Sequence, residues 1–237
     1  MPSKSNKGIS SDNALLAALP AEDRARLIGS ESPVHLDFED TLHEAGKPIT
    51  HVYFPIGGFI SLITPADGRA QLEVGLVGIE GMLGVSLILG VDTSPLRALV
   101  QGAGSAWRVE ARHFQSELER SPALRRLLNR YLYVLLTQLT QSAICTRFHL
   151  VEARLARWLL MTRDRAQANH FHITHEFLAY MLGVRRVGVT GAASALQRRK
   201  IIRYARGSIA VLNGRALKAA ACKCYAADLK TYARIMA

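Results

Sequence analysis

Between Val34 and Val109 the apolar residues fall in short runs set apart by glycines: "VHLDF", "HVYF", "FISLIT", "AQLEVGLV", "LRALVQ" and "SAWRV". In "QLEVGLV", Leu72, Val74 and Leu76 alternate with Glu73 and Gly75, the period of two expected of a strand with one buried face. Turn residues at "IGG", "PADGR" and "GAGS" punctuate the runs, so this region predicts a small all-β barrel or roll. The pattern changes at Ser121-Pro122: proline suits the first turn of a helix, and no helix breaker follows until beyond Gln167. Leu124, Leu127, Leu128, Tyr131, Leu132, Leu135, Leu136 and Leu139 make a stripe wider than one face on a helix predicted over Pro122 to Arg147, about 39 Å long at the usual rise. Such a helix buries one face on its own domain and another elsewhere. The same helix of a second chain is the expected partner, through Leu128, Tyr131, Leu132, Leu135 and Leu139; the alternative is that one chain covers both faces. A further helical pattern, "VEARLARWLLMTRDRAQ", begins at Val151, with a hinge expected near Phe148 to Val151.

Downstream the apolar spacing becomes helix, tight turn, helix. Thr174 is expected as an N-cap with Glu176 in the first turn, and Phe177, Leu178, Met181 and Leu182 follow at helical spacing. Gly183 ends this short helix, because glycine accepts the left-handed backbone common at helix termini. A second helix is predicted from Val184 to about Lys200, packing through Val184, Val189, Ala192, Ala193 and Leu196. Its outer face would carry Arg185, Arg186, Val187, Thr190, Gly191, Ser194 and Gln197. "IIRYARGSIAVL" then reads as a hairpin turning at Gly207, a wing with Arg203 and Arg206 able to reach phosphates. Asn213 caps a closing helix.

Composition changes this picture in two ways. The chain has 237 residues and 49% hydrophobic content, enough for a core without staples, and its apolar runs fall short of a membrane span. The opening "MPSKSNKGISSDNALLAALPAEDR" is unlike a secretory signal, so a loose arm over residues 1–26 and a cytoplasmic location are expected, with no membrane partner. Charge is more telling. From His175 onward there are 12 lysines and arginines against only Glu176 and Asp228, whereas the first 174 residues carry 18 basic and 17 acidic groups. Between Gly183 and Arg206 lie seven basic residues and no acid. A solvated helix normally mixes signs for i to i+4 pairs; a surface meant for a DNA groove gains by excluding carboxylates, and its small residues let the backbone approach the duplex. Arginine at the leading end of such a helix can bond guanine O6 and N7. The expected DNA contacts are Thr174, Arg185, Arg186, Val187, Thr190, Gly191, Ser194 and Arg198, with Arg203 and Arg206 from the wing.

The segment "THEFLAYMLGVRRVGVTGAASALQRRKIIRYARGSIAVLN" resembles the winged helix of the Crp/Fnr family of bacterial transcription regulators, and "VEARLARWLL" is similar to the Glu-x-Arg-Leu-Ala run that opens that family's DNA-binding domain. From about Leu27 to Leu217 the order of parts resembles the family's too. The resemblance implies an α+β chain: a cyclic-nucleotide-binding-like jelly roll over 27–121, a dimerisation helix over 122–148 and a winged helix-turn-helix over 149–237. It also implies a homodimer on a palindromic operator that alters transcription, with RNA polymerase as a further partner and no enzymatic activity. Arg186 matches the family's recognition-helix arginine, while Val187 and Gly191 stand where other members carry an acid and a second arginine. The family's cyclic-nucleotide cassette has Gly-Glu and then an arginine followed by Ser, Thr or Ala; here the matching positions are Gly81-Met82 and, after an extra Leu96, Arg97-Ala98. A methionine in place of the carboxylate leaves a ribose hydroxyl unpaired, at about 1–3 kcal/mol if buried. Cyclic nucleotide is therefore not expected as a cofactor. Iron–sulfur members use N-terminal cysteines, and none precedes Cys145.

Other chemistry finds little support. Cys145, Cys222 and Cys224 cannot make a disulfide framework, and the Cys-x-Cys spacing lacks the second pair a zinc site wants, so structural thiols and no metal are expected. His170, His172 and His175 fit a short strand leading to Thr174 better than a metal site. No phosphate loop, His-Glu-x-x-His or nucleophile elbow is present. The competing reading is a β-roll scaffold whose basic tail binds nucleic acid without regard to sequence, distinguishable by binding that salt abolishes entirely.

Overall fold

In the computed structural model, which describes residues 12–65, 71–205 and 207–237, the alternating segments of the first half fold into two antiparallel sheets. One holds β1 (Val34–Leu36), β7 (Gly104–Glu110) and β3 (His51–Pro55) in that order; the other holds β2 (Thr41–His43), β6 (Arg97–Gly102), β4 (Phe59–Pro65) and β5 (Gln71–Val77). Every run predicted as a strand contains one. β2 adds three residues, too few to show a period. Most of "PADGR" lies outside the described residues. Along β6 the side chains alternate as the pleat requires: Ala98 and Val100 enter the core with Ile60, Val77 and Leu83, while Leu99 joins Ile63 on the other face.

The described part of the expected loose arm is not loose. Asn13 is fully buried; its Oδ1 accepts the backbone N–H groups of Leu15 and Leu16 at 2.9 and 3.3 Å, and its Nδ2 donates to the carbonyls of Pro55 and Gly81 at 3.0 and 2.8 Å. That cap starts α1 (Ala14–Ala17), which with α2 (Ala21–Ile28) buries Leu15, Leu16 and Leu27 against the roll. The apolar run Ala14 to Leu19 is too short to announce a helix, and the adjacent amide that caps it is fixed by carbonyls far away in sequence.

After β7 comes α3 (Ala111–Arg120), then α4 (Pro122–Phe148), started by Ser121, whose Oγ accepts the Leu124 N–H at 3.0 Å. Leu124, Leu127, Leu128, Tyr131 and Val134 of α4 are buried. His149 and Leu150 are extended and separate α4 from the helix that follows, where the hinge was expected. The C-terminal part runs α5 (Val151–Ala166), β8 (His170–His172), α6 (His175–Leu182), α7 (Arg186–Arg198), β9 (Ile202–Ala205), β10 (Ser208–Val211), α8 (Gly214–Ala220) and α9 (Lys223–Met236), with a small sheet in the order β8-β10-β9. Its core gathers Leu155, Leu159, Leu178, Leu196, Ile209 and Leu217.

Sequence patterning gave one closing helix; the structure has two, and α9 returns along α4. Arg130 of α4 donates through Nε to the Ile235 carbonyl at 2.6 Å and also holds the Ala237 carbonyl, and Tyr232 donates to the Glu80 carbonyl at 2.7 Å. The C-terminal part also touches the roll directly. Met181 and Phe177 of α6 meet Ile63 and Leu99, Arg165 pairs with Glu80 at 2.8 Å, and Glu73 of β5 accepts from Ser61 Oγ at 2.6 Å and from Trp158 Nε1 at 2.7 Å.

Burial pushes the Glu73 carboxyl up to about 7, against the opposing pull of the Ser61 and Trp158 hydrogen bonds. Because the folded value lies above the ordinary 4.5, its contribution to stability is complete below that value and is lost as pH rises through about 7. Urea unfolding between about pH 6 and about pH 8 should show wild type losing stability relative to Glu73→Gln; parallel pH slopes would contradict this.

Candidate nucleic-acid interface

The turn between α6 and α7 is built by its ends. Thr174 Oγ1 accepts the Phe177 N–H at 3.1 Å, which starts α6, and Gly183 sits at φ 59°, which ends it. Arg185 is the extended residue before α7. Val189, Ala192, Ala193 and Leu196 turn inward to the core. The opposite face then has no choice but solvent: Arg185, Arg186, Val187 (76% exposed), Thr190, Gly191, Ser194 and Arg198 all lie on it, and Thr174 is exposed at the start of α6.

The cations on this surface divide into two groups. Arg185, Arg186, Arg198 and Arg203 make no ion pair among the described residues, whereas Arg199 pairs with Glu152 at 2.7 Å. Gln197 is exposed with them as expected, and its Oε1 accepts the Tyr204 N–H at 2.6 Å, tying α7 to the wing. The wing is the β9-β10 hairpin, with Gly207 at φ 76° in its turn and Arg203 exposed on β9. Arg206 lies outside the described residues.

Sequence reasoning passed over His175 as a component of this surface. Its ring stacks on Tyr204 with centroids 4.1 Å apart and 14° between planes, and its Nδ1 lies 3.0 Å from Thr190 Oγ1. Burial first, and then the charge of Arg186, hold its pKa below the usual histidine value, so at neutral pH it is an uncharged spacer between wing and helix. Nothing in the local pattern could reveal a pairing between residues on two separate elements.

Gly188 and Gly191 raise the question of packing or approach. A Cβ on Gly188 would meet Val151 Cγ2 at 3.9 Å, and one on Gly191 would meet nothing within 4 Å. Internal packing therefore requires neither glycine.

The residues matched to a nucleotide cassette are directed to different places in the roll. Met82 is buried, and a Cβ on Gly81 would lie 2.0 Å from the Tyr131 hydroxyl, so this glycine serves the close approach of α4. Ala98 points into the roll. Arg97 lies on the Leu99 side of β6, where it donates to Thr41 Oγ1 at 3.0 Å and faces Glu44 at 3.7 Å. The cavity that Met82 and Leu96 line is about 50 Å³, against roughly 300 Å³ or more for small-molecule sites.

The expected dimer face also needs correction. Leu128 and Tyr131 are covered by their own roll, Leu132 and Leu135 are half-buried, and only Leu139 of that set is exposed. The bare apolar stripe is Tyr133, Leu136 (64% exposed), Ile144 and Phe148 (74% exposed), on the opposite side of the helix. The sequence showed two apolar faces but not which one meets the roll. No helix among the described residues is long and apolar enough to cross a membrane.

A roll, a long helix and a winged helix-turn-helix with an exposed cationic face are the parts a DNA-binding protein would need. Residues 153–220 match the Crp-like helix-turn-helix domain. The fold is shared with FixK2 from Bradyrhizobium japonicum (TM-score 0.68, 15% identity, 81% of this chain and 97% of that one). It is shared too with a CRP/FNR-family transcriptional regulator from Thermus thermophilus (0.66, 21%, 80% and 98%). A third such structure is the c-di-GMP responsive global regulator CLP of Xanthomonas campestris (0.65, 18%, 81% and 99%). No curated protein matches the sequence. Residues 153–220 thus carry a Crp-like helix-turn-helix domain, on a fold shared with these solved structures.

Gly191→Ala should raise stability by up to about 1 kcal/mol, since alanine favours the helix and the new methyl group meets nothing. Urea denaturation measures this, and a loss of stability would reveal a packing demand on that glycine.

Proposed function

We propose that the chain reads DNA as a homodimer, with α7 of each copy in a major groove of a roughly palindromic operator, and that its activity does not depend on a cyclic nucleotide. The observation that carries this reading is the outer face of α7, where Arg185 and Arg186 lead a run of small exposed side chains with no carboxylate among them. The guanidiniums at the leading end suit guanine edges, while Arg198 and Arg203 suit the flanking phosphates. Thr174 at the start of α6 is a further backbone contact.

Dimerisation through α4 is supported by the stripe of Tyr133, Leu136, Ile144 and Phe148, whose spacing places them on one side of the helix. A second copy of the same helix offers the same stripe, which is what a twofold contact requires. The alternative, a scaffold with a basic tail, accounts for the charge but not for the separation of free arginines from those already paired. RNA polymerase as a partner rests on the family likeness alone.

Selection from a random duplex pool at near-physiological salt, without nucleotide, should enrich a palindrome. On that site Arg186→Ala should weaken binding by about 1–3 kcal/mol with unchanged thermal stability; equal affinity for specific and random duplexes in both proteins would favour the scaffold. Leu136→Asp should convert the dimer to a monomer in analytical ultracentrifugation while leaving the fold intact, because Leu136 touches no core. A persistent dimer would move the interface elsewhere.

A further inference from the structure

Three cysteines judged structural from their spacing are gathered by the fold. Cys145 lies in the last turn of α4 and His149 is the residue that ends that helix; Cys222 precedes α9 and Cys224 is in its first turn. One ligand atom from each of these four residues lies within 4.8 Å of every other. Cys145 Sγ is 3.5 Å from Cys222 Sγ, and Cys224 Sγ is 3.4 Å from His149 Nδ1. All three cysteines are free. A tetrahedral zinc with bonds of about 2.3 Å to sulfur holds its ligand atoms about 3.8 Å apart, so the four need only small shifts to close on one ion.

The surroundings fit an ion bound by thiolates. Three thiolates and a neutral imidazole around a divalent metal leave one net negative charge. Arg154 and Arg157 line the same cavity as Cys145, so two guanidiniums stand beside the cluster to offset that charge. Gln141 Nε2 donates to Cys224 Sγ at 3.0 Å, a second-layer contact of the kind that orients a metal-binding sulfur. Arg157 is itself anchored to Asp228 of α9 at 2.7 Å.

We propose that Cys145, His149, Cys222 and Cys224 form a closed four-ligand site for a soft divalent metal of the zinc type, which pins the start of α9 to the end of α4. Three sulfurs and one imidazole select such an ion over magnesium or calcium, and four protein ligands leave no open position for catalysis. The site sits beside the His149–Leu150 hinge, so occupancy would stiffen the joint between α4 and the helix-turn-helix. The proposal is independent of how α7 meets DNA.

Cobalt(II) titrated into the reduced full-length chain is the probe. One equivalent should give thiolate-to-cobalt charge transfer in the near ultraviolet and intense tetrahedral d–d bands, both displaced by zinc. Cys222→Ser should lose most of the charge-transfer intensity. Gln141→Ala keeps all four ligands and should weaken binding by about 10- to 100-fold with the same spectrum, which guards against a serine variant that fails to fold. The proposal is overturned if reduced wild type takes up no cobalt near equimolar concentration while its thiols stay open to Ellman's reagent. It is equally overturned if the spectrum survives in Cys222→Ser, or if Cys145 and Cys222 close into a disulfide with metal in excess under mild reductant.

Discussion

Burial of one face of α4 on the roll fixes where every later element begins. Leu124, Leu127, Leu128, Tyr131 and Val134 seat the helix, and Gly81 lets it come close enough for the Tyr131 hydroxyl to accept the Met82 N–H at 3.3 Å. Fully burying side chains of this size stabilises by about 1.5–3 kcal/mol each, so the seat is far stronger than any single contact elsewhere between the two halves. The rest of α4 then projects beyond the roll, offering one side to α9 and the other to solvent.

The roll beneath this seat holds a small cavity. A nucleotide-binding roll needs an internal space with an acid and an arginine facing the ligand; here Met82 and Leu96 leave a small apolar cavity, and Arg97 has turned to Thr41 and Glu44. The fold is that of the solved structures compared above, while this cavity is small. The joint at His149 and Leu150 lies near the Arg157–Asp228 pair, which links α5 to α9.

Sequence patterning showed those features whose physical cause is local. Alternation in "QLEVGLV", Pro122 at the start of a helix, Thr174 and Gly183 around α6, and the acid-free run from Gly183 to Arg206 each report on neighbours a few residues away, and each corresponds to what the structure holds. What stayed hidden depends on distant partners. Asn13 caps a helix while bonding Pro55 and Gly81; His175 stacks on Tyr204; Cys145 meets Cys222 only because α9 doubles back. The choice between the two apolar sides of α4 was undecidable for the same reason: both read alike until the roll covers one.

The apolar seam between α6 and the roll is small, with Ile63, Leu99 and Met181 at its centre and Phe177 beside them. Its worth, a few side chains at about 1.5–3 kcal/mol each, is of the same order as the 1–3 kcal/mol by which binding at one site commonly changes affinity at another. These side chains lie outside both the reading face of α7 and the interior of the roll. Substitution at these three positions would therefore change how firmly the two halves hold together without altering the exposed face of α7, so that stiffness and surface chemistry can evolve separately.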